Sequence, residues 1–273
     1  MGTEMTTGAS DHFAIGIDIG GTGIKAALVD TVTGKLAFKR LRVLTPRPGT
    51  PEAVAETIAD LLEAVTDRAL ELELIADRTE IDRLPVGCGF PGVIRDGRVE
   101  FTANLDQSWV GSKIAEIIGE GTGRRVYFLN DADAAGLAEA RFGDAHARQG
   151  SVVLLTFGTG IGSALLHDGL LYPNSELGHL IIDGEEAEHI ASAAVKERED
   201  LSYKKWTKRV SKVLRTYEAL FWPTLFVVGG GISRKHEKWV PLLDCKTPVV
   251  PAKLHNNAGI AGAALAAEQG LLP

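Results

Sequence analysis

Cysteine is almost missing. Cys88 and Cys245 are the only two in 273 residues, too few and too far apart for a zinc ligand set or a disulfide framework. A reducing cytoplasm is the simplest setting for such a chain. Long apolar runs are missing as well: no stretch reaches the ~18 residues that a membrane span needs, so no membrane partner is expected. The opening MGTEMTTGASDH lacks the basic start and apolar run of a signal peptide; residues 1–12 read as a disordered tail. Nor is there an excess of positive charge. The formal net charge of −7 argues against non-specific nucleic-acid binding, so a polyanion would have to use a local basic patch. Aromatics are scarce at 6%, whereas glycine, at 31 residues, is abundant. That balance suits close-packed α/β layers joined by glycine turns. With 45% hydrophobic residues the chain can bury a large core, in one bilobal unit or two modest domains.

The pattern of what remains is α/β. In residues 13–19, Phe13, Ile15, Ile17 and Ile19 alternate with Ala14, Gly16 and Asp18, which predicts a strand. Gly20-Gly21-Thr22-Gly23 follows, and apolar residues resume over Ile24–Val29, as in a hairpin. Further strands are expected at 36–43, 84–90 and 125–129, and helices at 51–76 and 112–119. An alanine-rich helix should begin just after Asn130-Asp131. Residues 151–169, SVVLLTFGTGIGSALLHDG, repeat the opening plan of strand, glycine turn, strand. Two such hairpins imply a duplicated fold. A short hairpin-like region runs to about Ser192. A basic helix is expected over 202–221, stopped by Pro223, then a strand at 225–233 ending in glycines. A small-residue helix at 256–268 could pack tightly or return to the first half.

Consecutive backbone N–H groups in a glycine turn converge on anions, and glycine lets the chain approach closely. Gly20, Gly21, Thr22 and Gly23 offer one such turn; Gly158, Thr159 and Gly160 offer a second. Each alone is equally well explained as a structural turn. Neither is a dinucleotide fingerprint, because a strand follows where a helix should start.

Taken in order, DIGGTG, NDADAAGLAEA, FGTGIG, NSELGH, VVGGG and NNAGIAGAAL resemble the ROK family of sugar kinases and repressors, over nearly the whole chain after residue 12. NSELGHLIIDGEEAEHIAS and PVVPAKLHNNAGI resemble most its polyphosphate-using glucokinase branch. The resemblance implies two ribonuclease-H-like lobes of the actin/hexokinase superfamily flanking a cleft. The first lobe would span 13–126 and carry the first turn. The second, 127–254, would carry the catalytic Asp, the second turn and the sugar-binding Glu and His. Residues 255–273 would form a C-terminal helix packing back on the first lobe. The implied reaction is phosphoryl transfer from polyphosphate or ATP to the 6-hydroxyl of glucose or mannose, with Mg²⁺. Many ROK proteins carry a cysteine-rich zinc motif after Glu-Leu-Gly-His. Here no cysteine lies between Gly178 and Ser192, so no zinc is expected and a shorter acidic turn takes its place.

By position in matching motifs, Asp131 is the expected general base, a carboxylate that orients the sugar hydroxyl and takes its proton; capping the following helix is the competing account. Asn104, Asn130, Glu176, His179 and Glu188 are the expected sugar contacts. His179 read alone is also compatible with a structural histidine, and Glu188 with a solvated acidic turn. Asp18 is placed to hold Mg²⁺, which takes few protein carboxylates and keeps its waters, or merely to end a strand. Gly229, Gly230 and Gly231 would abut a nucleotide, or serve only their turn. On the basic helix Lys204, Lys208, Lys212 and Arg215 share a face. They make either a solvated helix face or a polyphosphate track, with Lys25, Arg234 and Lys235 extending it.

Four other readings compete. An ATP-only kinase for another hexose or an N-acetylated amino sugar shares all these motifs. A repressor needs a helix-turn-helix ahead of DIGGT, where only about a dozen residues stand. A noncatalytic sugar-binding protein would leave the phosphate turns and Asp131 without use, and an actin-like polymer is disfavoured by the short chain and its sugar-pocket residues. The oligomeric state is not legible, and a homodimer is compatible with the sequence.

Overall fold

The structure, a computed structural model, describes residues 12–102 and 105–271. The first elements are β1 (Phe13–Gly20), β2 (Gly23–Asp30), β3 (Lys35–Leu36), β4 (Leu41–Val43), α1 (Pro51–Glu71), α2 (Arg78–Asp82), β5 (Val86–Phe90), β6 (Gly92–Arg95), β7 (Arg98–Thr102), α3 (Ile114–Thr122) and β8 (Val126–Asn130). There follow α4 (Asp131–Phe142), β9 (Ser151–Phe157), β10 (Ile161–His167), β11 (Leu170–Tyr172), β12 (Ile181–Ile182), β13 (Glu185–Glu186), α5 (Ala187–Ala191), α6 (Ala193–Arg198), α7 (Tyr203–Phe221), β14 (Leu225–Gly229), β15 (Val249–Pro251) and α8 (Ala258–Glu268). These form two compact units. One runs to Asp131 and resumes at Gly259; the other is Ala132–Ala258. The boundary expected at 127 is therefore displaced, because β8 pairs in parallel with β5 and completes the first unit's sheet.

The first unit's sheet has the order β3-β2-β1-β5-β8, with β4 also on β2. β1 and β2 are antiparallel, while β1, β5 and β8 are parallel. The alternation of β1 sets its two faces. Ile15, Ile17 and Ile19 join Val54, Ile58 and Leu62 of α1 and Ile114 and Ile118 of α3 in one core. On the other face Gly16 and Gly87 lie under α8 so closely that a Cβ on either would run into the Ile260 or Ala263 carbonyl. A helix of alanine and glycine on a strand face of glycines is how two backbones reach such contact.

Two expectations change in this unit. The strand expected at 36–43 is two short pieces, since β3 pairs with the Val29 end of β2 and β4 with its Ile24 end, and Phe38 between them turns into the core. The helix expected to Ala76 ends at Glu71; Glu73 has φ of 53° and breaks the run before α2. Thr50 starts α1 as its N-cap, with Pro51 behind it, a placement that suits proline's missing N–H. The β6–β7 hairpin has no counterpart in the sequence reading.

The second unit repeats the plan. Its sheet order is β11-β10-β9-β14-β15, antiparallel across β11, β10 and β9 and parallel across β9, β14 and β15. Helix α7 is capped by Ser202, whose hydroxyl accepts from Lys205 N–H, and ends at Trp222 in the left-handed region. It buries Trp206, Val210, Val213, Leu214 and Tyr217. Trp206 meets Phe157 and Trp239 edge-on at ring separations of 5.8 and 5.0 Å, which anchors α7 beneath the end of β9.

Candidate active site

In the first unit the candidate residues gather at the carboxyl ends of the parallel strands, where open α/β sheets place their ligands. The β1–β2 connection is a two-residue turn, Gly21-Thr22, closed by the pair Gly20 and Gly23. The Thr45 hydroxyl donates to the Gly20 carbonyl and Arg42 to that of Thr22, so the turn's carbonyl side is tied down. The same register puts Lys25 opposite Asp18. Their Nζ and Oδ2 are 2.6 Å apart, with side-chain exposures of 25% and 18%. Asp18 also lies beside the first turn of α8, at van der Waals distance from where a Gly259 Cβ would stand. Lys25 is thus engaged with Asp18.

Two strands along, Asn130 ends β8 and Asp131 opens α4. The Asn130 side-chain amide donates to the Gly92 carbonyl at 3.1 Å, which fixes the strand end. The registers Asp18–Gly89 and Gly89–Leu129 put the Asp18 and Asp131 strands two spacings apart, about 10 Å. Gly89 lies between them, and a Cβ there would touch the Asp131 Cα at 3.5 Å. Asn104 lies outside the described residues.

In the second unit the β9–β10 turn holds Gly158, Thr159 and Gly160. Gly158 N–H donates to the Gly160 carbonyl, and the Gly158 carbonyl accepts from Ala194 N–H. The turn opens on a cavity of about 380 Å³ lined also by Gly231, Ile232, Lys196, Tyr203 and Lys235. Lys196 Nζ sits 4.5 Å from the centroid of the Tyr203 ring. Gly230, at φ 81°, passes so close to the Phe157 backbone that no side chain would fit.

Glu176, His179 and Glu188 come together in this unit. Their loop is held from beneath: Leu177 N–H donates to the Ser163 hydroxyl at 2.9 Å, the Tyr217 hydroxyl donates to the Leu177 carbonyl at 2.6 Å, and Asn174 N–H donates to Asp133 at 2.7 Å. Burial raises the Glu176 carboxyl above its ordinary value; the His179 charge works against this and the Glu188 charge with it. His179 is also raised. Its burial favours the neutral ring, but the bond to Glu186 and the charges of Glu188, Glu186 and Glu176 outweigh that.

Glu188 is not in an acidic turn, as the sequence suggested, but in the short helix α5. Its carboxylate accepts from Ile161 N–H at 3.2 Å and fills the space that a side chain at Gly160 would need, while the Ile161 carbonyl blocks one at Gly178. It therefore braces the second glycine turn. Glu186 was not singled out from sequence. Its Oε2 lies 3.0 Å from His179 Nδ1. The basic helix also divides. Lys212 pairs with Asp183 at 2.8 Å and Arg215 with Asp244 at 2.7 Å; Lys204 and Lys208 have no ion-pair partner among the described residues. No helix among the described residues is long and apolar enough to cross a membrane.

Comparison with known proteins gives concordant results. The family model described as ROK family matches residues 14–192. Over 266 residues the chain is 50% identical to the polyphosphate glucokinase of Mycobacterium tuberculosis, covering 97% of this chain and 95% of that one. Its fold is similar to that of the inorganic polyphosphate/ATP-glucomannokinase from Arthrobacter sp. strain KM, with a TM-score of 0.86, 46% identity, and 95% and 99% of the two chains covered. A ROK family glucokinase from Streptomyces griseus shares the fold at a TM-score of 0.77 and 24% identity, over 94% of this chain and all 100% of that one.

Proposed function

The chain belongs to the ROK family, and from that premise we propose that it transfers a phosphoryl group from inorganic polyphosphate or ATP to the 6-hydroxyl of glucose, and of mannose too, giving the hexose 6-phosphate. The 50% identity to a polyphosphate glucokinase across 97% of the chain carries the reading. The shared strand order of the two sheets supports reading each unit as a ribonuclease-H-like lobe of the actin/hexokinase superfamily. A cytoplasmic location fits a chain whose two cysteines are both free thiols.

In the reaction the hydroxyl oxygen forms the new P–O bond and its proton passes to the Asp131 carboxylate. The shortened donor leaves with the electron pair of the broken anhydride bond. Asn130, Glu176, His179 and Glu188 are assigned to the sugar, whose hydroxyls need matched partners because an unpaired buried polar group is costly. The turns Gly20–Gly23 and Gly158–Gly160 are assigned to phosphates, and Gly229–Gly231 to a nucleotide. Asp18 is assigned to Mg²⁺: Lys25 Nζ faces its Oδ2, so it would offer the ion its other carboxylate oxygen, and this ion takes one or two carboxylates and keeps several waters. When bound, Mg²⁺ offsets the negative charge of the transferred phosphate.

The test is a rate measurement with glucose or mannose against ATP or ATP-free long-chain polyphosphate, in all pairings. Turnover is expected with both donors, stalling in chelator and resuming on addition of Mg²⁺. No turnover with ATP-free polyphosphate would reduce the protein to an ATP-only sugar kinase.

The paired and unpaired cations support a donor path at the second glycine turn. Lys196 and Lys235 line the cavity at the second glycine turn, whereas Lys212 and Arg215 of the stripe are matched by acids. Replacing Lys196 and Lys235 together with alanine is expected to raise the KM for long polyphosphate more than that for ATP. It should also flatten the rise of that KM with salt, since screening weakens exposed charge contacts. Each contact is worth ~0.2–1 kcal/mol, so the pair should change KM by roughly two- to thirtyfold at 1.4 kcal/mol per factor of ten. If a Lys204→Ala, Lys208→Ala variant shows the effect instead, the chain runs along α7.

A further inference from the structure

We propose that Glu186 is a positioning residue for His179, holding the imidazole by Nδ1 in a single orientation for the sugar. The inference rests on the assignment of His179 to the sugar.

The geometry is specific to this side chain. Of the acids in the segment Gly184-Glu185-Glu186-Ala187-Glu188, Glu185 is exposed and Glu188 is engaged with the Ile161 N–H. Glu186 alone reaches His179 Nδ1, at 3.0 Å. Its backbone is fixed twice, by pairing with Ile181 across the β12–β13 ladder and as the residue that starts α5. Its side chain makes no capping bond; the same oxygen lies 4.0 Å from His189 Nδ1, beyond hydrogen-bond range, so His179 is its hydrogen-bonding histidine. The Leu180 carbonyl accepts from Ala187 N–H at 2.9 Å, which locks the acid's strand against the residue next to His179. A carboxylate on Nδ1 requires the proton on that nitrogen. The lone pair of a neutral ring is then on Nε2. This is the arrangement by which a second carboxylate sets the tautomer and plane of a working histidine.

A metal is the competing occupant. His179, Glu186 and Glu188 have ligand atoms within 4.8 Å of one another. The donor set argues for the hydrogen bond. Residues 178–192 contain no thiol. The nearer ring nitrogen already faces Glu186 at hydrogen-bond distance, and a Glu188 oxygen already accepts from the backbone. The segment therefore does not fit the cysteine-based zinc site of relatives, and an acid–imidazole bond does the orienting.

The test compares Glu186→Ala, Glu186→Gln and His179→Ala with the wild type. Glu186→Ala is expected to raise the KM for glucose about tenfold or more, with little change in the KM for ATP or in Tm. Glu186→Gln should recover most of this, because its amide oxygen still accepts from Nδ1–H. In ¹⁵N-histidine spectra of the sugar-free protein, His179 should carry its proton on Nδ1 in the wild type and lose that preference in Glu186→Ala. The proposal is overturned by wild-type glucose KM in Glu186→Ala, by Glu186→Gln as impaired as Glu186→Ala, or by one tightly bound transition metal per chain. A wild-type glucose KM in His179→Ala would instead remove His179 from the sugar site, whatever Glu186 does.

Discussion

Asp131→Asn is expected to lower kcat by ~10²–10⁴-fold, the range of a positioned acid–base group, while the protein folds as before. The substitution separates the two roles open to this residue. Asparagine keeps the shape and the side-chain oxygen at this first residue of α4 and gives up only the ~0.3–1 kcal/mol that a negative charge gains beside a helix N-terminus. What is lost is the carboxylate that takes the hydroxyl proton. The surroundings should not rearrange, because the end of β8 is held independently by the Asn130 amide on the Gly92 carbonyl and the backbone at Asp131 packs beside Gly89. A group that acts only in the transition state lowers kcat and kcat/KM together. The KM for glucose should therefore change far less than kcat. Steady-state kinetics with a thermal melt decide it: near-normal kcat with an unchanged melt would leave Asp131 as a cap and nothing more.

Gly87→Ala is expected to have the largest effect on stability. The added methyl points straight at the Ala263 carbonyl of α8, and a methyl on Gly16 at that of Ile260. Neither obstacle is a flexible side chain; each is helix backbone. To admit the methyl, α8 must lift from the sheet and weaken the packing of the alanines that face it. Overpacking of this kind costs typically ~1–3 kcal/mol, occasionally more, and each kcal/mol lowers Tm by about 2–4 °C at this size. A control with opposite sign exists. Gly119, inside α3, has only ordinary contact at its missing Cβ, so Gly119→Ala should stabilise by up to ~1 kcal/mol through helix propensity. If Gly87→Ala melts with the wild type, the close approach of α8 is wrong.

The periodic parts of the fold were legible in the chain. The alternation of Phe13, Ile15, Ile17 and Ile19, the two glycine turns and the run from Ser202 to Pro223 each obey a local rule, and the elements appear there. The Asp18–Lys25 pair was there to be read but is absent from the sequence reading, which assigned Lys25 to the polyphosphate track. A hairpin closed by Gly20 and Gly23 forces residues 18 and 25 opposite each other, and counting back from the turn suffices to find it. Other features obey no local rule. Three glutamates within four positions, Glu185, Glu186 and Glu188, carry no signal of which meets a histidine seven residues away; only the β12–β13 ladder and the turn into α5 decide that. The split of the basic stripe was hidden for the same reason, since Asp244, which matches Arg215, is 29 positions along the chain.

The return of α8 to the first unit bears on how the protein is made. The chain leaves that unit at Asp131 and re-enters at Gly259, so the second unit is an uninterrupted insert that can fold as soon as it has left the ribosome. The first unit cannot. Its sheet is synthesised early, but the helix that covers Gly16 and Gly87 emerges only after the whole second unit. Until then one face of that sheet, bare of side chains at both glycines, stands open, as unfinished intermediates of larger proteins do. A ribosome stalled before Gly259 therefore holds a finished insert inside an unfinished host, and the host is the part that needs a chaperone.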